Sequence, residues 1–429
     1  MLTSTTNRTT RTLLSILPLP RPRVQTAPMI VRIDGDWYDL SNATEWRHPG
    51  GDEILRRQSG KDITHLFYLN HFGRFEEKKK RIEPFRLNAP PEGAELCPVP
   101  ALNPCSALYL DLKHRESEHL QQHGIPWRHT FDGRSLALRL SCLLACACAP
   151  RGIWSGAAAS AGVLIPTAIG SAIAAAFGIL MGRATWTHAH NAVHNPARMH
   201  DAMRRLSHFD LAGLIDVWMA EHHAHHAFTN TDRDPDMSWF SPVLRYNAVA
   251  EQGGVGALVR AILIYPFLLP FMLVKSAIHA IAHDSQGPTA VAFVVAISPL
   301  RFGLDLLLLG PPNFGVAILA ASAYVVATFV ATHQTPATHR ASSGDWMIDQ
   351  LQATNNVAAT NKFWSLFCGG INCHIEHHLF PMISNDALHR IAPVVQNFAE
   401  QHALPYHGYA TWPQLVRSHV QLLTTRRSA

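Results

Sequence analysis

The sequence has few charged residues and few cysteines. Charged residues make up 16% of the 429 residues, and the net charge of +5 is spread along the chain without a basic patch that interleaves aromatics. We therefore expect no nucleic-acid partner. The seven cysteines show no paired spacing, and three of them lie inside one apolar stretch. This pattern excludes the disulfide framework of a small secreted domain and favours reduced thiols.

Long apolar stretches in the middle of the chain predict membrane spans. Residues 152–182 carry no formal charge and exceed the roughly 20 residues that cross a bilayer. The preceding apolar stretch, 136–150, ends at a Pro-Arg-Gly turn, and two further stretches, 288–309 and 314–332, flank a Gly-Pro-Pro-Asn turn. The pattern predicts about four transmembrane helices in two hairpins. The shorter apolar stretch 261–274 is predicted to be interfacial or re-entrant.

Histidine is abundant, and three groups of histidines have the spacing of metal ligands. Residues 222–226 and 374–378 both fit H-x-x-H-H, and residues 190–194 fit H-x-x-x-H. This spacing places several imidazole rings on one face of a helix. The polar segment 195–221 cannot cross a bilayer, and two predicted spans lie between the second and third groups, so all three groups are expected on one side of the membrane. The candidate ligands are His190, His194, His222, His225, His226, His374, His377 and His378.

The number of these histidines indicates more than one metal ion. A structural zinc site needs four ligands, whereas eight neutral imidazoles grouped as two, three and three suit two ions with open positions. Two irons would supply the redox chemistry that activates O₂, which zinc lacks. Glu376, inside the third group, is a candidate for a carboxylate that orients a ligand ring by accepting its free N–H. The alternative is that Glu376 is a solvated helix residue.

Near the amino terminus, the residues 34–40 (DGDWYDL), 46–52 (WRHPGGD) and 67–71 (FYLNH) resemble the cytochrome b5 haem-binding fold, whose hallmark is H-P-G-G. The resemblance implies a small α+β haem domain over residues 29–87, with haem b held by His48 and His71. His65 is a weaker candidate for the second ligand. Two axial histidines close both faces of a haem iron, which favours electron transfer over oxygen binding. A proline-rich linker and pre-membrane segment is predicted over residues 88–134.

A b5-like domain joined to three histidine motifs resembles the membrane fatty acyl desaturases, specifically the front-end group that carries a fused b5 domain. The resemblance covers about residues 30–425. Its further motifs are EHHAHHAFTN at 221–230, DPD at 234–236 and QLQATNNV at 350–357. GGINCHIEHHLFP at 369–381 and LHRIAP at 388–393 complete the set.

The resemblance implies an all-α polytopic membrane domain over residues 135–429, with cytosolic helices that carry a di-iron site. It also implies an oxidoreductase that uses O₂ to insert a cis double bond into a long acyl chain of an acyl-CoA or acyl-lipid. NADH–cytochrome b5 reductase would supply electrons through the haem. His333 matches a histidine seen in relatives and is a candidate additional ligand, and Asn355 and Asn356 are candidates for water-mediated support.

Two residues depart from the front-end pattern. The third motif of that group usually begins with Gln, where this chain has His374, and the first motif usually contains Asp, where this chain has Asn191. His374 strengthens the expectation of iron binding because imidazole is the better ligand. Both departures weaken any inference about which carbons react.

Other functions remain compatible with parts of the pattern. A sphingoid long-chain-base desaturase or an acyl hydroxylase would share the same di-iron site. A non-catalytic haem-bearing membrane protein or a metal transporter is the alternative from a different class, although a transporter would be expected to have acidic residues in its spans and residues 152–182 have none. We expect an endoplasmic reticulum membrane protein with a cytosolic catalytic side. The Arg-, Ser- and Thr-rich residues 1–28 also fit a flexible leader or a transit peptide for a plastid or mitochondrion.

Overall fold

The structure is a computed structural model, and it describes residues 28–41, 48, 52–71, 75–91, 106–126, 137, 164–184, 189–194, 215–246, 253–272, 274, 278, 300, 302–339 and 342–425. These residues fall into two compact units. One contains the described residues within 131–219 and 269–322, and the other contains those within 24–130, 220–268 and 323–429. Each unit is described by itself.

The second unit begins with a β-hairpin formed by β1 (Ile30–Ile33) and β2 (Asp36–Asp39). The strands are antiparallel, and Ile30 pairs with Asp39. Asp34 and Gly35 form the two-residue turn with φ values of 51° and 89°. Asp-Gly is a favoured sequence for such a turn because both positions require a positive φ.

Three short helices complete this N-terminal module: α1 (Asp52–Arg57), α2 (Thr64–Asn70) and α3 (Phe75–Ile82). Val31, Leu40, Leu55 and Phe67 are among the side chains that form its buried core. Burial of these apolar side chains is what holds two strands and three short helices together, because none of them would be stable alone. The module therefore has the mixed α+β composition expected for residues 29–87.

An ordered helix, α4 (Ala107–Gln122), lies inside the segment predicted as a linker and pre-membrane region. Ser106 caps its amino terminus by accepting a hydrogen bond from the Tyr109 backbone N–H. Tyr109, Leu112 and Leu120 are buried along one face of the helix. They pack into a hydrophobic core of the second unit that also contains Trp346, Leu379 and Phe398.

The apolar helices are α5 (Leu164–Ala184), α8 (Val255–Ile264) and α9 (Pro311–Val325). Helical structure continues after α8 to Met272 and after α9 to His333, and these two runs are long and apolar enough to cross a membrane. The α9 run contains the predicted span 314–332. The apolar part of α5 is shorter than a full span. Predicted span 136–150 lies almost wholly outside the described residues, as does the part of predicted span 288–309 before Leu300, whereas residues 302–309 are helical.

The stretch 261–274 was expected to be too short to span. The helical run begins instead at Val255 and reaches 18 residues, because Val255, Val259 and other apolar residues before Ala261 extend it. Val255, Ile262 and Leu263 are exposed on its surface, as expected of a helix that faces lipid. The helical run is therefore longer than the 14-residue apolar stretch seen in the sequence.

In the first unit, α5 and α9 approach closely at Gly178. A Cβ atom at this position would lie 2.1 Å from the Ala317 carbonyl oxygen, so the contact requires glycine. Phe177, Met181 and Ala321 pack around it. Small residues permit this kind of close packing between apolar helices.

The remaining helices and strands carry eight of the nine candidate metal-ligand histidines. They are α6 (His190–His194), α7 (Ile215–Phe228), α10 (Trp346–Ala353), β3 (Asn356–Val357), α11 (Lys362–Cys368), α12 (His374–Leu379), α13 (Asn385–Gln401), β4 (Gly408–Tyr409) and α14 (Trp412–Thr424). Strands β3 and β4 pair in parallel.

Gly370 sets the position of α12. Its φ is +84°, and a Cβ atom here would lie 2.0 Å from the Asn385 carbonyl oxygen at the start of α13. Only glycine tolerates both the left-handed backbone and the close approach. The chain can therefore turn tightly before His374, and every residue of α12 is buried.

Candidate metal centre

Four imidazoles of the second unit converge on one another. We call His225, His333, His374 and His378 the A cluster. The Nε2 atom of His333 lies 2.6 Å from Nε2 of His374 and 3.3 Å from Nε2 of His225. His225, His333 and His378 each contribute one ring nitrogen to a group whose members all lie within 4.8 Å of one another. These residues come from α7, the end of the α9 run and α12, so the tertiary fold assembles the cluster.

Each ring of the A cluster has its Nδ1 atom next to an oxygen acceptor. The Nδ1 atom of His225 lies 3.0 Å from both Asp234 carboxylate oxygens, and that of His378 lies 2.9 Å from Gln350 Oε1. The Nδ1 atoms of His333 and His374 lie 3.1 Å and 3.3 Å from the backbone carbonyl oxygens of Ala353 and Ile371, respectively. Carbonyl and carboxylate oxygens only accept hydrogen bonds, so Nδ1 must carry the proton in every ring.

A neutral imidazole with its proton on Nδ1 has a lone pair on Nε2. The contact between His333 Nε2 and His374 Nε2 therefore brings two lone pairs together, which is repulsive unless a cation lies against them. In His378 the Nε2 atom is buried and makes no hydrogen bond among the described residues. Metal-binding histidines commonly have this arrangement, with the second ring nitrogen held by an oxygen. The A cluster therefore fits a metal ion.

Burial and charge give the rings of the A cluster different pKa values. Burial lowers the pKa of His374 to about 3 and lowers that of His378 well below its usual value, and the neighbouring histidines add to both shifts. These rings stay neutral at pH 7, as ligands must. Burial also acts to lower the pKa of His225, but the carboxylates of Asp234 and Asp236 outweigh it and raise that pKa to about 9.

A second group lies beside the first. We call His222, His226 and His377 the B cluster. The Nε2 atom of His226 lies 3.1 Å from that of His222 and 3.0 Å from that of His377. On α7, His222 and His226 are four residues apart and share one helix face. Their convergence with α12 gives three more nitrogens within the range of one metal ion.

His190 and His194 form a pair at the two ends of α6 in the first unit. Both are buried, and their ring centroids are 4.9 Å apart. The predicted helical i, i+4 spacing is thus present. Asn191 lies between them on the same short helix.

Glu376 does not orient an imidazole, as the sequence had suggested, and it is not solvated either. Its side chain is fully buried, and its two carboxylate oxygens accept hydrogen bonds from Asn356 Nδ2 at 2.7 Å and from the Tyr406 hydroxyl at 2.8 Å. Burial raises the pKa of Glu376 to about 7, although these hydrogen bonds oppose the shift. Asn356 Oδ1 also accepts from the Ile375 backbone N–H. Glu376 and Asn356 therefore tie α12 to β3.

Asn355 lies beside the A cluster but contacts the backbone that carries it. Its Nδ2 donates to the Thr332 carbonyl at 2.9 Å, one residue before His333. Its Oδ1 atom is buried without a hydrogen-bond partner among the described residues. This oxygen is the part of Asn355 that suits the water-mediated support expected from the sequence.

Asp234 is the carboxylate nearest to a ligand ring, and Asp236 Oδ2 lies 3.3 Å from the same His225 Nδ1 atom. In the sequence Asp234 stood out only as part of the D-P-D motif. It is buried, and it also accepts from the backbone N–H groups of Asn230 at 2.7 Å and Asp236 at 2.9 Å. Asn230 donates in turn to the His333 carbonyl at 2.9 Å. The loop after α7 thus fixes both His225 and the end of the α9 run.

In the N-terminal module, His48 and His71 face each other. Their ring centroids are 5.8 Å apart and the ring planes are nearly perpendicular. The Nδ1 atom of His71 lies 2.8 Å from the Phe67 carbonyl, so it carries the proton and Nε2 is left as a ligand. Burial lowers the pKa of His71 to about 3. The side chain of His65 and residues 49–51 of the H-P-G-G motif lie outside the described residues.

Buried histidine clusters that could hold metal ions, beside two helical runs long and apolar enough to cross a membrane, suggest a metal-dependent membrane protein, and comparison with known proteins specifies its class. The fatty acid desaturase family model matches residues 163–410. The chain therefore belongs to the fatty acid desaturase family, whose members are oxidoreductases that act on fatty acyl chains with O₂. The histidine clusters fit the di-iron binding expected in this family.

Curated relatives align over most of the chain. The chloroplastic acyl-lipid (7-3)-desaturase of Chlamydomonas reinhardtii is 26% identical over 90% of this chain and 78% of its own length. The acyl-lipid (8-3)-desaturase of Mortierella alpina is 24% identical over 92% of this chain and 93% of its own. The Delta(5) fatty acid desaturase fat-4 of Caenorhabditis elegans is 24% identical, covering 88% and 91%.

Proposed function

We propose that this chain inserts a cis double bond into a long acyl chain of an acyl-CoA or acyl-lipid, with electrons that pass through its own N-terminal haem domain to two histidine-bound irons. The observation that carries the proposal is the A cluster, in which every Nδ1 proton is committed to an oxygen and the Nε2 atoms converge. Its chemistry fits a redox metal better than a structural one, because all its ligands are imidazoles and none is a thiolate.

The A cluster would hold one iron and the B cluster would help to hold the other. His333 becomes a ninth ligand in this proposal because its Nε2 atom lies closest to another ring of the A cluster. His190 and His194 remain proposed ligands on the grounds of their motif and helical spacing. When bound, the two irons supply the one-electron chemistry with O₂ that removes hydrogen from an unactivated methylene.

The chain's own residues would prepare this site in two ways. Asp234, Gln350 and the backbone carbonyls of Ile371 and Ala353 fix which nitrogen of each ring is presented to a metal. The ligand rings are at most 6% exposed, so water is excluded and side reactions with solvent are suppressed.

His48 and His71 would bind haem b as its two axial ligands. Their facing rings and the committed Nδ1 proton of His71 support this assignment. NADH–cytochrome b5 reductase is the proposed electron donor, and the endoplasmic reticulum membrane is the proposed location, with a plastid or mitochondrion as the alternative if residues 1–28 act as a transit peptide. The domain boundaries proposed from the sequence are 29–87, 88–134 and 135–429.

Expression in yeast with fed fatty acids tests the proposed reaction. We expect new fatty acids that have lost two hydrogens relative to a fed saturated or unsaturated precursor. Products that gain an oxygen instead would identify an acyl hydroxylase, and a change confined to long-chain bases would identify a sphingolipid desaturase. Absence of any new product, from protein that contains iron and a reducible haem, would contradict the proposed reaction on acyl chains.

The role of Asp234 can be tested with Asp234→Asn. The amide lacks the negative charge that holds the His225 Nδ1–H, and loss of such a partner typically lowers metal affinity or activity by about 10–100-fold. We expect a decrease in that range in iron content or product formation by the purified protein. Asp232→Asn is the matched control because Asp232 is exposed two residues away. Equal iron and product in both variants would refute the role.

A further inference from the structure

Helix α4 carries a buried lysine. Lys113 is only 3% exposed, and lysine is seldom buried without partners. Its Nζ donates to the backbone carbonyl of Tyr68 at 2.5 Å and to that of His71 at 3.2 Å. The aromatic rings of Phe75 and Tyr109 lie about the same ammonium, with centroids 5.1 and 4.9 Å away.

The two carbonyls lie at the carboxyl end of α2, which has no basic residue in its last turn. Helix carboxyl ends leave carbonyl groups without partners within the helix, and a cation stabilises them. Here the amino group comes from another helix, and it donates to the carbonyl of His71 itself. Burial lowers the pKa of Lys113 to about 7, although Glu116 opposes the shift. Lys113 therefore attaches α4 to the residue that the proposed function assigns as a haem ligand.

The same helix contacts the third histidine motif one turn earlier. The Tyr109 hydroxyl donates to the Leu379 carbonyl at 2.5 Å, and this bond is buried. Leu379 directly follows His377 and His378 on α12. The Tyr109 ring also packs against Trp346 and Phe380, with centroids 5.1 and 6.2 Å away.

Apolar packing joins the same three elements. Leu69 of α2, Leu112 of α4 and Leu379 of α12 belong to one hydrophobic core cluster of the second unit. A module attached only by a flexible linker would make no such core contacts, and its encounters would depend on linker length alone. These contacts indicate a fixed attachment.

We propose that α4 is a docking helix that holds the haem domain in one position against α12, with Lys113 as the positioning residue. The proposal rests on the proposed function. In it, each electron that leaves the His48–His71 site oxidises ferrous haem iron to ferric and reduces one ferric iron of the histidine clusters to ferrous. Lys113 and Tyr109 set the distance between the haem and the histidine clusters, across which that electron moves. The reductase then returns one electron to the ferric haem iron.

Lys113→Met tests the docking role, because methionine keeps a buried unbranched side chain and removes the N–H donors. We expect unchanged haem content in purified protein and at least tenfold slower reoxidation of the reduced haem with acyl substrate and O₂. Hydrogen exchange of α2 should become at least tenfold faster. A single turnover started with dithionite, which reduces the irons directly, should give normal product.

Tyr109→Phe provides a second variant, since it removes only the bond to Leu379, and we expect slower haem reoxidation there as well. His114→Gln is the control on the exposed face of α4 and should match the wild type. Wild-type reoxidation and exchange rates in haem-loaded Lys113→Met and Tyr109→Phe would overturn the docking role alone. A wild-type protein that binds no haem would overturn the docking role together with the proposed haem site.

Discussion

Replacing His333 with Ala should abolish desaturation to below about one hundredth of the wild-type rate. The Nε2 atom of His333 lies 2.6 Å from that of His374 and 3.3 Å from that of His225. Its removal would take away the central nitrogen of the A cluster. Loss of a residue that merely orients a ligand costs about 10–100-fold, so loss of the ligand itself should cost more. Iron per chain and product formation by the purified protein are the measurements.

His402→Ala is the matched control for this variant. His402 is an exposed histidine just after α13, so its replacement should leave iron content and turnover unchanged. If His333→Ala retained two irons and normal turnover, His333 would not be a ligand. A loss of iron together with a loss of secondary structure would instead indicate unfolding, which circular dichroism detects.

Replacing His71 with Ala should remove the haem and stop NADH-driven desaturation. The rings of His71 and His48 are 5.8 Å apart between centroids, and His71 keeps its lone pair on Nε2 because its Nδ1 proton is held by the Phe67 carbonyl. Alanine has no ligand atom, so the haem absorption band should disappear and turnover with purified reductase should fall at least tenfold. A purified system is required because cytochrome b5 of a host cell could supply electrons instead.

The iron content of His71→Ala should stay at the wild-type value, because the histidine clusters are separate from this site. His123→Ala is a suitable control, since His123 is exposed at the end of α4. A variant that kept its haem would exclude His71 as an axial ligand. A variant that lost the haem yet desaturated normally with reductase would exclude the haem as the electron carrier.

Local patterns in the sequence predicted much of the local structure. Histidines three and four residues apart lie on one face of α7 and of α12, because helical periodicity is a property of the local backbone. The Asp34–Gly35 turn and the apolar run ending at His333 also follow from local sequence. The helical run from Val255 is longer than the apolar stretch 261–274 seen in the sequence, and Pro266 does not end it because it lies in a 3₁₀ turn.

Contacts between distant residues could not be predicted in this way. Glu376 was expected to orient a ring because it lies between ligand histidines, but the fold directs it toward Asn356 and Tyr406. Asp234 and Gln350 lie at no regular spacing from His225 and His378, so the sequence does not indicate that they accept the Nδ1 protons of these rings. Lys113 reads as an ordinary surface lysine, since burial is decided by what packs against its helix.

The sequence by itself determined the family, the residue types of the candidate metal centre and the helix faces that present them. Only the tertiary structure decided which nitrogen of each ring is available to a metal. In the A cluster that choice depends on which oxygen lies beside Nδ1. For His225, His333 and His378 this oxygen belongs to a residue 9, 20 and 28 positions away in the chain. A proton on one ring nitrogen leaves the lone pair on the other, so folding fixes the ligand atoms of this centre.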